Sequence, residues 1–212
     1  MDSKAVSAAF FFISMEELVF ATNNPHKLNE IRELLKDRFA VTGLRDRGIR
    51  EDIPEEQETL EGNALQKARY IYEKYRFNCF ADDTGLEVDA LGGAPGVYSA
   101  RYSRMGEPVY DTMEVTAGNI RKLLEKMEGE SNRRARFRTV IALIMDGQEY
   151  LFEGEVQGHI ATSSSGDEGF GYDPVFHPDG YDRSFAEMDL TLKNRISHRA
   201  NAMRRLVEFL KK

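Results

Sequence analysis

The sequence predicts an α/β domain, on three observations. The apolar run at 18–21 passes directly into a helical pattern that begins at Pro25. A second apolar run, Cys79, Phe80 and Ala81, ends in two adjacent carboxylates, Asp82 and Asp83. A third, 137–145, is followed by the turn pair Asp146-Gly147 and a returning β pattern that reaches Ile160. Short strands interleaved with amphipathic helices bury their apolar faces by packing helices on a sheet.

The elements follow in order. Residues 18–21 read as a strand and 25–38 as a helix, with Asn24 as N-cap, Pro25 at the first helical position and Leu28, Ile31, Leu34 and Leu35 on one face. A helix start carrying Lys27 suits an anion, because free N–H groups and the helix dipole both favour negative charge. Residues 39–42 suggest a second strand, and the charged stretch 45–58 an exposed loop. A helix is predicted over 60–75, with Ala64, Ala68, Ile71 and Tyr75 near one face. Asp82 and Asp83 are expected at a strand end, Gly85 in a turn, and the two carboxylates on opposite faces with different tasks. A third helix is predicted over 111–128, the basic run Arg133-Arg134-Ala135-Arg136 is a solvated strand entry, and Asp146-Gly147 closes a hairpin. The glycine-rich stretch around Phe170 lacks the strand context of a dinucleotide site, but an aromatic ring beside glycines suits a flat ligand. Residues 184–194 suggest loop and short helix, and Ser197 caps a last helix whose first turn holds His198 and Arg199. Positive charge there opposes the dipole, so those residues call for a ligand or an acidic partner.

Composition narrows the function. The chain has 212 residues, 41% hydrophobic and 31% charged, with a net charge of −7. That balance argues against a general nucleic-acid binder. No run approaches the ~18 apolar residues of a membrane span. The single cysteine, Cys79, sits in an apolar strand and reads as core filler, which fits a reducing, cytoplasmic setting. The apolar patch at 8–13 is followed by no small-residue cleavage site, so residues 1–15 read as an N-terminal extension, or as the product of a start site placed upstream of Met15, and 16–212 as a single domain. There is no Walker A loop, no Ser-His-Asp order and no Cys/His metal spacing. What remains is acidic residues for a divalent ion, cations for phosphates and an aromatic glycine loop for a base: metal-assisted hydrolysis of a nucleotide.

Five segments sharpen this. Thr22-x-Asn24-x-x-Lys27, Asp82-Asp83-Thr84-Gly85-Leu86, Leu91-Gly-Gly-Ala-Pro-Gly-Val-Tyr-Ser-Ala-Arg101, Phe170-Gly171-Tyr172-Asp173-Pro174 and Ile196-Ser197-His198-Arg199 occur in order. Together they resemble the inosine triphosphate pyrophosphatase family, from about residue 18 to residue 210. The resemblance implies a two-lobed α/β fold on a long mixed β-sheet with flanking helices, a cleft between the lobes, and usually a homodimer. It implies Mg²⁺-dependent hydrolysis of deaminated purine nucleoside triphosphates (ITP, dITP, XTP) to the monophosphate and pyrophosphate. Carried over by position, Thr22, Asn23, Asn24, Pro25, His26 and Lys27 bind the triphosphate. Asp83 is proton acceptor and metal ligand, and Glu55 is a second metal ligand, with Glu56 beside it. Thr84 and Lys193 contact substrate, Phe170, Gly171, Tyr172 and Asp173 flank the base, and His198 and Arg199 read its edge. Thr84 stands where bacterial members usually carry serine, and Asn23 where glycine is common. Three other readings are weaker: a non-catalytic nucleotide sensor, an aspartyl-phosphate phosphatase, and the related enzymes for modified pyrimidine nucleotides. A sensor needs no water-activating carboxylate, the phosphatase spacing is wrong, and the Phe170 and Ser197 segments match the purine family.

Overall fold

Strict alternation of side chains places the core on both faces of one sheet. The computed structural model describes residues 16–106 and 108–211; the extension at 1–15 lies outside the described residues. Seven strands are β1 (Glu16–Phe20), β2 (Phe39–Gly43), β3 (Cys79–Val88), β4 (Pro95–Gly96), β5 (Arg134–Met145), β6 (Gln148–Ile160) and β7 (Phe176–Pro178). They run in the order β2-β1-β3-β5-β6-β7, with β4 paired to β3 off that path. β1 is parallel to β2 and β3, and the other pairs are antiparallel, so the sheet is mixed.

On one face Val19, Ala21, Cys79, Ala81, Val140 and Ala142 meet Ala64, Ala68 and Ile71 of α2 (Leu60–Tyr75). On the other, Leu18, Phe20, Phe80, Ile141 and Leu143 meet α1 (Pro25–Leu35) and α5 (His198–Leu210). This is the first lobe. The distal ends of β3, β5 and β6 carry a second core, Leu86, Val88, Phe137, Ile160 and Phe176 with Leu123 and Met127, closed by α3 (Val115–Lys126). The helix α4 (Leu190–Ile196) leads into α5. The two-lobed α/β fold on a mixed sheet is the one the resemblance implies.

The structure corrects several expectations. Asp82 and Asp83 are not at a strand end: they lie inside the ten-residue β3, which continues without a turn through Thr84 and Gly85. Gly85 is there for close packing, since a Cβ would lie 2.6 Å from the Gly96 carbonyl oxygen of β4. α1 ends at Leu35, before 38. α3 starts at Val115, after 111, because the Glu114 carboxylate accepts from Ala117 N and caps it there. β5 starts inside the basic run, where Arg134 pairs with Asp179 and Arg136 with Glu87 and Glu155 on neighbouring strands. The stretch 45–58 is not uniformly exposed, since Ile49 is buried. The Asp146-Gly147 turn joins directly paired Met145 and Gln148, and positive φ at both turn residues (52° and 80°) is the two-residue hairpin geometry.

Candidate active site

A cleft of about 600 Å³ separates the lobes. It is lined by Thr22, Asn23, Asn24, His26 and Lys27 from the β1–α1 junction, by Glu55, and by Asp83 and Thr84 of β3. Phe170, Gly171, Tyr172, Asp173, Lys193, His198 and Arg199 complete it. Of the residues expected in the site only Pro25 is outside the lining; it fixes the first turn of α1.

The adjacent aspartates divide as strand geometry dictates. Asp83 faces α2: its Oδ2 accepts from Asn63 Nδ2 at 3.1 Å, and its Oδ1 lies 3.3 Å from Lys67 Nζ. Asp82 faces α1 and α5: Lys27 Nζ lies 2.8 Å from Oδ1 and Arg199 Nε 3.2 Å from Oδ2. Burial opposes charge on Asp82, but Lys27 and Arg199 together hold its carboxyl well below the usual range. Asp82 is therefore a permanent counter-ion that does not line the cleft. Asp83 is shifted the other way. Desolvation raises its pKa and Glu55 adds to the rise, against the opposing pull of Lys67 and Lys27. A raised carboxyl in a cleft is poised to accept a proton.

Lys67 Nζ bridges Asp83 to Glu55, whose Oε1 is 2.5 Å away. Glu55 is thus the member of the Glu55-Glu56 pair that meets the cleft; Glu56 is absent from its lining. The phosphate-side loop is organised by side chains. Asn24 Oδ1 accepts from His26 N and Lys27 N, at 2.9 and 3.2 Å, and Thr22 Oγ1 accepts from Asn24 N at 3.1 Å. These caps use two of the helix donors that a phosphate was expected to meet. Attraction for an anion there comes from Lys27 and the dipole. Asn23 does not adopt positive φ, so glycine's freedom is not needed; its Nδ2 donates to the Glu51 carbonyl at 2.9 Å and ties the two loops together.

The opposite end is an aromatic and cationic pocket. Lys193 Nζ is bound by Glu30 Oε1 at 2.6 Å and Asp173 Oδ2 at 2.7 Å. Arg199 pairs with Glu30 as well as Asp82, which supplies the acidic partners that its place in a helix first turn calls for. Phe170 stacks on His26 with ring centroids 5.4 Å apart, and Lys193 Nζ lies 4.9 Å from its ring. Asp173 Oδ2 accepts from Phe170 N at 2.8 Å, and Tyr172 donates to the Ser99 carbonyl at 3.0 Å. Tyr172 and Asp173 brace the loop, and Phe170 lines the cleft.

His198 stacks on Phe137, with centroids 4.7 Å apart, and is 3% exposed. Burial, with Arg199 and Lys193 nearby, holds its pKa well below the ordinary 6.5. Among the described residues its Nδ1 and Asn23 Oδ1 are the buried side-chain polar atoms without a hydrogen-bond partner. A depressed folded-state pKa gives stability that is present above about pH 6.5 and lost as pH falls below it. Between pH 7 and 5 the unfolding free energy should fall more steeply for the wild type than for His198→Phe, by up to about 1.4 kcal/mol per pH unit. Urea titrations at several pH values read this difference; parallel curves would place the proton elsewhere.

Asn63, Lys67 and Glu30 are site residues that sequence reasoning passed over. Their signal was a polar residue on the apolar stripe of a helix: Asn63 and Lys67 flank Ala64 and Ala68, and Glu30 precedes Ile31.

The sequence and the fold match known proteins along nearly the whole chain. A sequence model of the Ham1 family matches residues 18–209. The chain belongs to the Ham1 family. Among its relatives, a Porphyromonas gingivalis protein named dITP/XTP pyrophosphatase is 55% identical over 197 residues, covering 92% of this chain and 98% of that one. One of the same name from Flavobacterium johnsoniae is 46% identical over 194 residues, covering 92% and 97%. A Ham1 structure from Coxiella burnetii superposes with a TM-score of 0.81 at 37% identity, covering 93% of this chain and 99% of that chain. The Staphylococcus aureus Ham1 protein gives 0.79 at 38%, covering 92% and 98%. The resemblance carried by the five motifs is borne out.

Proposed function

We propose that this Ham1 family chain hydrolyses deaminated purine nucleoside triphosphates, dITP, XTP and ITP, to the nucleoside monophosphate and pyrophosphate. The reading includes Mg²⁺ as cofactor, a homodimer and a cytoplasmic setting. The observation that carries it is one cleft with a shared-cation carboxylate pair, Glu55 and Asp83, near Lys27 and a flat aromatic pocket beyond. Relatives named dITP/XTP pyrophosphatase support the substrate class.

The donor set fits magnesium. Glu55 and Asp83 turn oxygens onto one cation, the Lys67 ammonium, and Mg²⁺ takes hard oxygen donors. Mg²⁺ is commonly held by one or two carboxylates together with substrate phosphates and waters, so Glu55 and Asp83 suffice as protein donors. At this end the cations Lys27, Lys67, Arg101 and Arg199 are already paired with the carboxylates Asp82, Asp83 and Glu55. A triphosphate therefore needs added positive charge. Mg²⁺ held by Glu55 and Asp83 would supply that charge and acidify a water.

The chain's own groups do the rest. Asp83 takes the proton of the attacking water, favoured by its raised pKa. Lys27 and Lys67 offset charge that gathers on departing pyrophosphate. Phe170 stacks on the base. A neutral His198, which lines the cleft, donates a ring N–H to a 6-oxo group, and the 6-amino group of adenine leaves that donor unpaired. Sites that read hydrogen bonds in this way discriminate by ~10⁴–10⁵. The test is kcat/KM for dITP, XTP, ATP and GTP with Mg²⁺ and with excess chelator. The reading expects dITP and XTP to exceed ATP and GTP by at least ~10² and chelator to abolish turnover; equal turnover of ATP would overturn it.

A further inference from the structure

Asp83 is held by two residues of one helix face, and only one of them is charged. Lys67 takes its Oδ1, and Asn63, one turn earlier on α2, takes its Oδ2. Asn63 is 1% exposed. Its other atom is also committed: Oδ1 accepts from Gln57 N at 2.9 Å. A backbone N–H can only donate, so the amide cannot be turned round, and its NH₂ must point at Asp83. Gln57 lies two residues after Glu55, and the intervening Glu56 N donates to Gln66 Oε1, also on α2, at 3.0 Å. One buried amide thus joins the strand that carries Asp83 to the loop that carries Glu55.

We propose that Asn63 is a positioning residue: it sets the rotation of the Asp83 carboxylate, leaving Oδ1 toward the cleft, and holds the Glu55 loop in register with it. The role rests on the hydrolase reading above. Groups that orient reacting ligands without touching substrate typically carry 10–100-fold in activity. A truncated Asn63 frees both Oδ2 and Gln57 N–H, so the two carboxylates lose their common reference while the walls that bind nucleotide stay.

The test is Asn63→Ala against wild type, with dITP and saturating Mg²⁺, together with hydrogen exchange at the Gln57 amide. Expected are a kcat lower by roughly 10–100-fold, a KM within about threefold, and faster exchange at Gln57. A folded variant with wild-type kcat would overturn the role, and so would a raised KM with kcat kept. Should Asn63→Ala not fold, Asn63→Asp keeps the acceptor for Gln57 N–H but sets a carboxylate against Asp83 Oδ2. It should keep Gln57 protected and still lose kcat; wild-type kcat there overturns the role equally. An inactive wild type would overturn the hydrolase reading and this role together, whereas an active wild type beside an unaffected variant overturns this role alone.

Discussion

Asp83→Asn should lose turnover by ~10²–10⁴-fold or more, the range typical of a positioned general base, while the protein folds as before. The amide is isosteric: its oxygen can still accept from Asn63 Nδ2, its NH₂ replaces the oxygen that met Lys67, and Lys67 keeps Glu55 at 2.5 Å. The buried carboxylate is one that desolvation already disfavours, so its neutral replacement should not lower the unfolding midpoint. What disappears is the acceptor for the water proton and one oxygen donor for a cation. Pyrophosphate release and a thermal melt on the same sample check both halves. A variant that keeps more than about a tenth of wild-type kcat would remove Asp83 from the role of base. A variant that is inactive because it is unfolded would show that Asp83 is chiefly structural.

Arg199→Met should cost about 3–5 kcal/mol of stability, the penalty for stripping one partner from a buried ion pair. Arg199 is 2% exposed and touches Glu30, Asp82 and Thr84. Without it, among the described residues, Asp82 keeps only Lys27 as an ion-pair partner, and Glu30 keeps only Lys193. Both carboxyls are held below their ordinary values in the wild type, against the cost of burial. Their contribution is therefore present above the unfolded carboxylate pKa of about 4 and lost as pH falls through the folded values. The difference between wild type and variant should be largest above about pH 5 and shrink toward pH 3. Urea unfolding at pH 7 and pH 4 reads it; a loss below about 1 kcal/mol at pH 7 would mean that solvent reaches the network.

Much of this was legible in the sequence, for identifiable reasons. Asn24 followed by Pro25, and Ser197 before an apolar helix, are local capping signals, and both helices begin where they predict. Asp146-Gly147 demands one turn geometry and adopts it. The opposite duties of Asp82 and Asp83 follow from the two-residue period of a strand alone. What stayed hidden was tertiary. Asp-Asp-Thr-Gly looks like the end of a strand because polar residues and glycine end strands in isolation. Here Lys27, Arg199 and Lys67 neutralise the carboxylates, Asn63 hydrogen-bonds Asp83, and β4 packs against Gly85, so β3 runs on. Glu30, Asn63 and Lys67 could be assigned no task until partners as distant in the chain as Asp83, 16 residues from Lys67, and Arg199, 169 residues from Glu30, were seen beside them. Tyr172 and Asp173 sit in the motif expected to flank a base, and their hydrogen bonds reveal that they brace the Phe170 loop.

The most direct measurement is the identity of the products. Purified protein with ITP and Mg²⁺, followed by ³¹P NMR with no coupling enzyme, should give IMP and pyrophosphate in equal amounts, and nothing when the metal is chelated. IDP and orthophosphate would contradict the bond assignment, and tight binding of ITP with no product would make the cleft a nucleotide sensor.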